Sequence, residues 1–499
     1  MLISHDLGTT GDKASLHEDD GRMVASVTVS YAADYRSGGV VEQDPRAWEN
    51  AVVEATRQLV ARTGVAPQSV IGIAISGQMM AAVLLDGDLQ PLRPAMIWAD
   101  TRATRQTQQL IERVGEERAY GILGHRLSPT YSLPKIMWVR DHEPEVFARV
   151  RHACLAKDYV VAQLTGRLAT DRSDASGMNV YDLEAGTWSE EILQAAELDA
   201  SILPEILESP DVVGTLTPQA AEAMGLTTAA QVVMGGGDGP IAAVGSGIIS
   251  PDDGAYVCLG TSSWISFSSA QPALDPDRRT FTFSHVVPEH FVPTATVQSA
   301  GASLAWIHEV LSPDGRGGVD ALVSEASTED TETGGLYFLP YLMGERSPLW
   351  DPAARGAFVG IGRHHGRGHL VRAVLEGVAF NLDLCLEAFA ATGHRFATID
   401  AVGGGAVSDA WLQIMADVWG IPVRRRSVAE EANSLGAAVV AAVGLGTADF
   451  DAARSLSEVV AEFTPRPDQH EQYVARIDRF RAATTALSPW DSAGAGTEE

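Results

Sequence analysis

The chain has no Gly-x-x-x-x-Gly-Lys-Ser/Thr segment, which excludes a P-loop phosphate site. It is short of positive charge: 36 Lys and Arg stand against 65 Asp and Glu, for a net charge of −29. That balance argues against nonspecific binding to nucleic acid or to an anionic membrane. It does not bar a small anionic ligand met by a few local donors. Cysteine is scarce. Cys154, Cys258 and Cys385 are odd in number and far apart, so they form neither a disulfide framework nor a metal cluster and suit a reducing cytosol. No apolar run has membrane length, and the N-terminus carries no signal-peptide pattern. What is present is 499 residues, 45 % of them hydrophobic, too many for one core and enough for two large domains.

The most informative stretch is Val232-Val-Met-Gly-Gly-Gly-Asp-Gly-Pro240, an apolar strand, three glycines and one carboxylate. Glycines after a strand allow positive φ and bring the backbone close to a ligand. Asp238 then stands at a strand end, as a candidate general base or metal ligand. An Asp at that position serves equally well as the cap of a following helix. Two further glycine turns weigh on the choice. Asp6-Leu-Gly-Thr-Thr-Gly-Asp-Lys13 reads as a hairpin turn in which Gly8 and Gly11 supply the tight backbone. Thr9, Thr10 and Lys13 supply donors suited to phosphate oxygens. Leu259-Gly-Thr-Ser262 is a near copy of Leu7-Gly-Thr-Thr10, half a chain away. Either alone is an ordinary hairpin; one in each half suggests a duplicated domain with a phosphate loop in each copy.

The order of elements is α/β. Asp44-Pro45 reads as the cap and first residue of a helix with Trp48, Val52, Ala55 and Leu59 on one face. Val70–Ser76 is a buried strand running into Gly77-Gln-Met-Met80, with a second strand over Ala81–Asp86. Residues 100–220 read as mostly helical, with a polar, irregular stretch over Thr170–Tyr181. Ala255–Phe267 forms strand, turn and strand. A long helix is predicted over Arg367–Ala391, then a strand over Thr398–Val402 that ends in Gly403-Gly-Gly-Ala406, then a helix with Trp411, Ile414, Met415 and Val418 as its apolar stripe. The halves should meet near Gly245–Asp253. The small, acidic residues from Ser488 to Glu499 predict a disordered tail.

On these residues the chain resembles the FGGY carbohydrate kinases, in particular their xylulokinase-like branch, up to about residue 485. The most specific element is Gly356-Ala-Phe-Val-Gly-Ile361, seven residues, then His369-Leu-Val-Arg-Ala-Val-Leu-Glu376, close to the second signature of that family. Phe338-Leu-Pro-Tyr-Leu-Met-Gly-Glu-Arg346, Glu42-Gln-Asp-Pro45, Ala156-Lys-Asp-Tyr159 and Ser173-Asp-Ala-Ser-Gly177 lie around it in family order.

The resemblance implies a two-domain duplicated actin/Hsp70/sugar-kinase fold, ribonuclease H-like, with an interdomain cleft. The domains would be 1–247, carrying sugar and base, and 248–487, carrying nucleotide. It implies ATP-dependent transfer to a sugar hydroxyl, with Asp238 as base and Asp6 beside Mg2+; both carboxylates would hold the metal, through water. Thr9, Thr10 and Lys13 match the first phosphate loop, and Gly260 and Thr261 the second. Gly301 and Ala305 match an ATP-contacting helix start, and Gly404, Gly405 and Asp409 the adenosine motif. Substrate contacts would come from Gln78, Met79, Met80, Trp98, Asp100, Arg102 and Asp238. The implied partners are a small sugar and ATP, with no nucleic acid or membrane; a homodimer is allowed.

Three departures fall at the expected sugar site. Met80 stands where D-xylulose kinases usually have His, Gly239 where they have Asn, and Trp98-Ala-Asp-Thr-Arg102 replaces Trp-Asn-Asp-Gly-Arg. The last two also resemble the gluconate-kinase branch, so another ketose, a polyol or a sugar acid stays open as substrate. A non-catalytic sensor on the same fold is disfavoured by the intact Asp6, Asp238 and both Gly-Thr loops.

Overall fold

The computed structural model describes residues 1–312, 318–326, 334–427 and 431–494. Two mixed sheets dominate it, one of six strands and one of seven. In the first, the hairpin Leu2–Leu7/Gly11–His17 is antiparallel, and Met23–Ser30 continues antiparallel beyond it. On the other side of Leu2–Leu7 come Gly72–Gly77 and Gln231–Gly237, both parallel, then Val212–Thr215, antiparallel at the edge. The second sheet repeats this order. The hairpin Ala255–Leu259/Ser263–Phe267 is followed on one side by Phe291–Val297, antiparallel. On the other come Ile399–Val402 and Val423–Arg426, parallel, then Val459–Phe463, antiparallel. Phe281–Ser284 adds one outer strand. The duplication suggested by two short loops thus extends to the pairing of whole sheets.

The parallel strands are buried on both faces, which explains their nearly uninterrupted apolar sequences. Gly72–Gly77 and Ile399–Val402 are buried throughout. The helix Pro45–Thr63 starts where expected: the Asp44 carboxylate accepts the Arg46 N–H, and Gly64 ends the helix at φ 65°. Trp48, Val52, Ala55 and Leu59 are buried on its inner face. Arg367–Ala391 is one helix, burying Val371, Leu375, Val378, Leu382 and Leu386. Asp409–Trp419 buries the predicted stripe of Trp411, Ile414, Met415 and Val418. All three cysteines are free.

Three local expectations change. The strand after Gly77 is shorter, Val83–Leu85, and pairs with His152–Cys154 outside the main sheet. The polar stretch after Thr170 is not irregular throughout, because Arg172–Ser176 is a helical turn capped by Asp171. The tail expected to be disordered from Ser488 is helical to Gly494, within the helix Pro467–Gly494. Once a helix is nucleated upstream, each added residue gains a hydrogen bond at little cost. Residues 495–499 lie outside the described residues.

The halves meet along two helices. Asp238–Gly245 crosses Ala432–Gly444, and the crossing is close because it is made at glycines. A Cβ on Gly245 would stand 1.8 Å from the Ala432 carbonyl oxygen, and one on Gly436 2.1 Å from that of Ile241. Ala437, Val440 and Ala441 of the second helix pack on Leu2, Ala74 and Val233 of the first sheet. The strand ends that carry the glycine loops therefore open towards each other. Among the described residues, no helix is long and apolar enough to cross a membrane.

Candidate active site

The three glycines after Met234 are demanded by close approach. Gly235 has φ 72°, and a Cβ there would lie 2.0 Å from the Ile75 carbonyl oxygen. On Gly236 it would meet Val286 and Ser173, and on Gly237 the Met79 side chain at 2.7 Å. Asp238 follows as the first residue of the helix Asp238–Gly245, whose N-cap is Gly237 with no side-chain cap. The capping role is therefore not taken. The carboxylate accepts the adjacent Gly239 N–H at 2.8 Å. Burial, and then the charge of Asp6, push Asp238 up to about 7. Asp6 is itself raised to about 6, chiefly by burial, although the Asn433 side-chain amide donates to it at 3.2 Å. Two carboxylates whose charges oppose each other in a cleft form a site for a proton or a hard cation.

The first loop is fixed from behind. Gly8 N–H donates to the Gly11 carbonyl at 3.0 Å, and Tyr31 OH donates to the Gly8 carbonyl. Gln43 donates to the Thr9 carbonyl at 2.7 Å, and Trp98 Nε1 to Thr9 Oγ1 at 2.9 Å. Thr10 is exposed. Lys13 lies 3.6 Å from Glu431 in the second half, so it bridges the cleft as Asn433 does with Asp6.

The second loop is braced by the start of the helix Gly301–Leu311. Gly301 N–H donates to the Gly260 carbonyl at 3.0 Å, and Ala300 and Ala302 N–H donate to that of Thr261. A Cβ on Gly301 would lie 2.5 Å from the Gly260 oxygen, so this position accepts no side chain. Thr261 and Ala305 are exposed. In the glycine turn after Val402, Gly403 has φ 89° and Gly404 faces open space, while a Cβ on Gly405 would press on Leu259 and Trp411. Asp409 is exposed and pairs with Arg425 at 2.6 Å.

Between the loops lies a cavity of about 190 Å³. The first half contributes Met79, Met80, Trp98, Asp238 and Gly239. The second contributes Trp264, Phe281, Thr296, Arg346 and Asn433 among others. Three residues expected to touch substrate do not face it. Gln78 is buried behind the first loop, donating to the Gly8 carbonyl and to Gln43. Asp100 is fully buried, accepts the Val41 N–H at 2.8 Å and pairs with Arg102. Arg102 also pairs with Glu42 and lies over the Trp138 ring. A buried carboxylate requires such partners, and these two groups satisfy each other.

The sequence reading missed Arg346 and Asn433. Arg346 closes the stretch Phe338–Arg346, where a Glu-Arg pair after an apolar run was the available signal. Asn433 opens a helix otherwise made of small and aliphatic residues.

Residues 1–245 match the model for the N-terminal domain of the FGGY family of carbohydrate kinases, and residues 255–445 that for its C-terminal domain. A xylulose kinase of Bacillus subtilis (strain 168) is 33% identical over 483 residues, 96% of each chain. A gluconokinase of the same organism is 29% identical over 485 residues, 95% of this chain and 93% of its own. The crystal structure of xylulose kinase from Rhodospirillum rubrum superimposes with a TM-score of 0.91 at 30% identity, covering 98% of this chain and 99% of that one.

Proposed function

The chain belongs to the FGGY family of carbohydrate kinases, and on that premise we propose that it transfers the γ-phosphate of ATP to a terminal hydroxyl of D-xylulose, giving D-xylulose 5-phosphate. The observation that carries the mechanism is Asp238, a carboxyl held near neutrality and open to a cavity between two Gly-Thr loops. Phosphoryl transfer asks for in-line positioning and for neutralisation of developing charge, with little covalent work by the protein. Asp238 takes the proton from the attacking hydroxyl. Thr9 and Thr10 on one side and Gly260 and Thr261 on the other hold the phosphates. Gly301, Ala305, Gly404, Gly405 and Asp409 receive the nucleoside, and Lys13 tethers the first loop to the second half. The sugar-binding half would run over residues 1–247 and the nucleotide-binding half over 248–487.

Asp6 and Asp238 fit Mg2+ chemically: both are oxygen donors, and the charge of Asp6 raises the proton affinity of Asp238. Among the described residues no group of three or more His, Cys, Asp or Glu forms a complete cage. That suits an ion that takes one or two carboxylates and completes its shell with water and phosphate. When bound with ATP, the ion neutralises phosphate charge.

The test is a panel of pentuloses, hexuloses, polyols and aldonates in a coupled ADP-release assay. D-xylulose is expected to give the largest sugar-dependent rate. No stimulation by any acceptor would remove the kinase reading of the cavity. A second reading, gluconate, is favoured by Gly239, the one gluconate-like departure whose changed residue lines the cavity; the other, around Asp100 and Arg102, does not face it and carries no weight.

Met80 is held at φ 67° against the cavity, where its thioether offers no hydrogen-bond donor. A Cβ on Gly239 meets nothing within 4 Å, so a side chain fits there. Met80→His with Gly239→Asn is therefore expected to raise the preference for D-xylulose over gluconate about tenfold, the worth of one good hydrogen bond. An unchanged ranking in a normally folded double variant refutes the role of Met80.

The nucleotide side has its own check. Thr261→Val removes an exposed hydroxyl from the second loop, and Gly404→Arg fills open space, whereas Gly405→Arg would disturb Leu259 and Trp411 instead. Both Thr261→Val and Gly404→Arg are expected to raise KM for ATP about tenfold or more, with sugar affinity kept. An equal loss of sugar affinity measured without ATP contradicts the assignment of nucleotide to the second half.

A further inference from the structure

Arg346 enters the cavity from the second half, and its placement is fixed by its neighbours. The buried Glu345 carboxylate accepts the N–H groups of Gln298 and of Arg346 itself, each at 2.8 Å, and the Asn381 side-chain amide at 2.7 Å. Ser347 N–H donates to the Thr296 carbonyl at 3.0 Å, and Thr296 also lines the cavity. The segment 345–347 is thus zipped to the end of the strand Phe291–Val297, with Arg346 turned into the cavity it shares with Asp238.

The guanidinium has nothing to pair with there. Among the described residues it makes no hydrogen bond or ion pair, and Glu345 has spent its carboxylate on the backbone and on Asn381. Burial accordingly lowers its proton affinity. Arg93 and Arg102 of the first half, by contrast, are each paired with carboxylates. A partly buried, unpaired cation is costly to the free protein. That cost is offset once a ligand supplies oxygen atoms, and a planar fork of donors suits adjacent oxygens best. The walls nearby, Phe281, Phe283 and Trp264, offer no such acceptors.

We propose that Arg346 is a specificity-determining residue that donates from its guanidinium to adjacent oxygen atoms of the acceptor sugar, other than the hydroxyl that Asp238 deprotonates. The proposal rests on the kinase reading above. Adjacent oxygens occur both in a ketose, as carbonyl and neighbouring hydroxyl, and in an aldonate, as carboxylate, so the test carries both.

The best acceptor from the panel, together with D-xylulose and D-gluconate, is assayed with wild type, Arg346→Met and Arg346→Lys. Sugar binding without ATP is followed separately by tryptophan fluorescence, since Trp98 and Trp264 line the cavity. Arg346→Met is expected to weaken sugar binding and raise sugar KM about 10- to 100-fold, the worth of a charged hydrogen bond, with KM for ATP within about twofold. Arg346→Lys recovers part of the loss. Its loss is larger on gluconate if a carboxylate is the natural ligand, and larger on D-xylulose if the carbonyl end is. Removing an unpaired cation should not lower the denaturation midpoint, so a folded variant is expected. Unchanged sugar binding in Arg346→Met overturns this proposal alone, as does a rise confined to KM for ATP, which would assign the guanidinium to phosphate. A wild-type protein that turns over no sugar overturns the kinase reading and this proposal with it.

Discussion

Asp238→Asn is expected to fold, to bind ATP and sugar, and to lose at least about two orders of magnitude in kcat, the usual worth of a general base. Asn keeps the shape and the acceptor oxygen that meets the Gly239 N–H, and loses only the ability to take a proton. The measurement is single-turnover phosphorylation at saturating ATP and sugar, with nucleotide binding followed independently. Turnover near that of wild type would remove Asp238 from the base role and leave it as a charge beside Asp6.

The two raised carboxyls also set the pH behaviour of the protein without ligand. A base must be ionised to act, so kcat/KM should fall as pH drops below about 7, where Asp238 takes its proton, and more steeply near 6, where Asp6 joins it. Stability runs the other way. Both groups hold protons in the folded state that the unfolded chain has released above about pH 4. Folded protein therefore binds more protons between about pH 4 and 7, and stability decreases as pH rises through that window. Asp238→Asn removes one of the two. Its denaturation midpoint should exceed that of wild type at pH 8, with the gap closing near pH 4. Equal midpoints at both pH values would mean that the carboxylate is not strained in the closed cleft.

What the sequence made legible follows from what local backbone demands. The glycines at 235–237 were visible because tight approach excludes side chains, and the structure bears out a close contact at each of the three, whereas Gly8 and Gly260 of the Leu-Gly-Thr pairs meet only ordinary contacts of 3.5 and 3.4 Å. The helix Arg367–Ala391 was legible because its apolar stripe is long and uninterrupted. Residues brought in from far along the chain were not. Arg346, Asn433 and Trp264 reach the cavity only because the second sheet turns its edge and its loops towards the first. Asp100 and Arg102, expected at the substrate, are instead paired with each other behind the cavity. A buried ion-pair network and a polyol site draw on the same residue types, and only burial separates them. The tail was misjudged because composition was weighed against order, whereas the helix beneath it, anchored by buried Tyr473, Ile477 and Phe480, carries its own continuation.

Gly235→Ala is expected to be strongly destabilising. The residue sits at φ 72° in the strand Gln231–Gly237, at the register shift between Val233 and Gly236 where this strand runs beside Gly72–Gly77. A methyl group would stand 2.0 Å from the Ile75 carbonyl oxygen and 2.9 Å from that residue's backbone nitrogen and carbon. None of these is the end of a flexible side chain, so the two central parallel strands must separate. Left-handed strain of about 1–2 kcal/mol adds to overpacking of about 1–3 kcal/mol, for a loss of roughly 3 kcal/mol or more. Asp238 lies three residues on, so separation of the strands also displaces the base, and activity should fall further than the folded fraction does. Gly121→Ala is the control. It lies in the helix Glu116–Leu123 with nothing within 4 Å of its Cβ position, and should be neutral or stabilising by about 0.5–1 kcal/mol. Urea denaturation midpoints of the two variants, with kcat per folded molecule, separate these effects. If Gly235→Ala matched Gly121→Ala in midpoint and rate, the backbone at 235 would not be the constraint that holds Asp238 at the cleft, and the placement of the base would have to come from the helix Asp238–Gly245 alone.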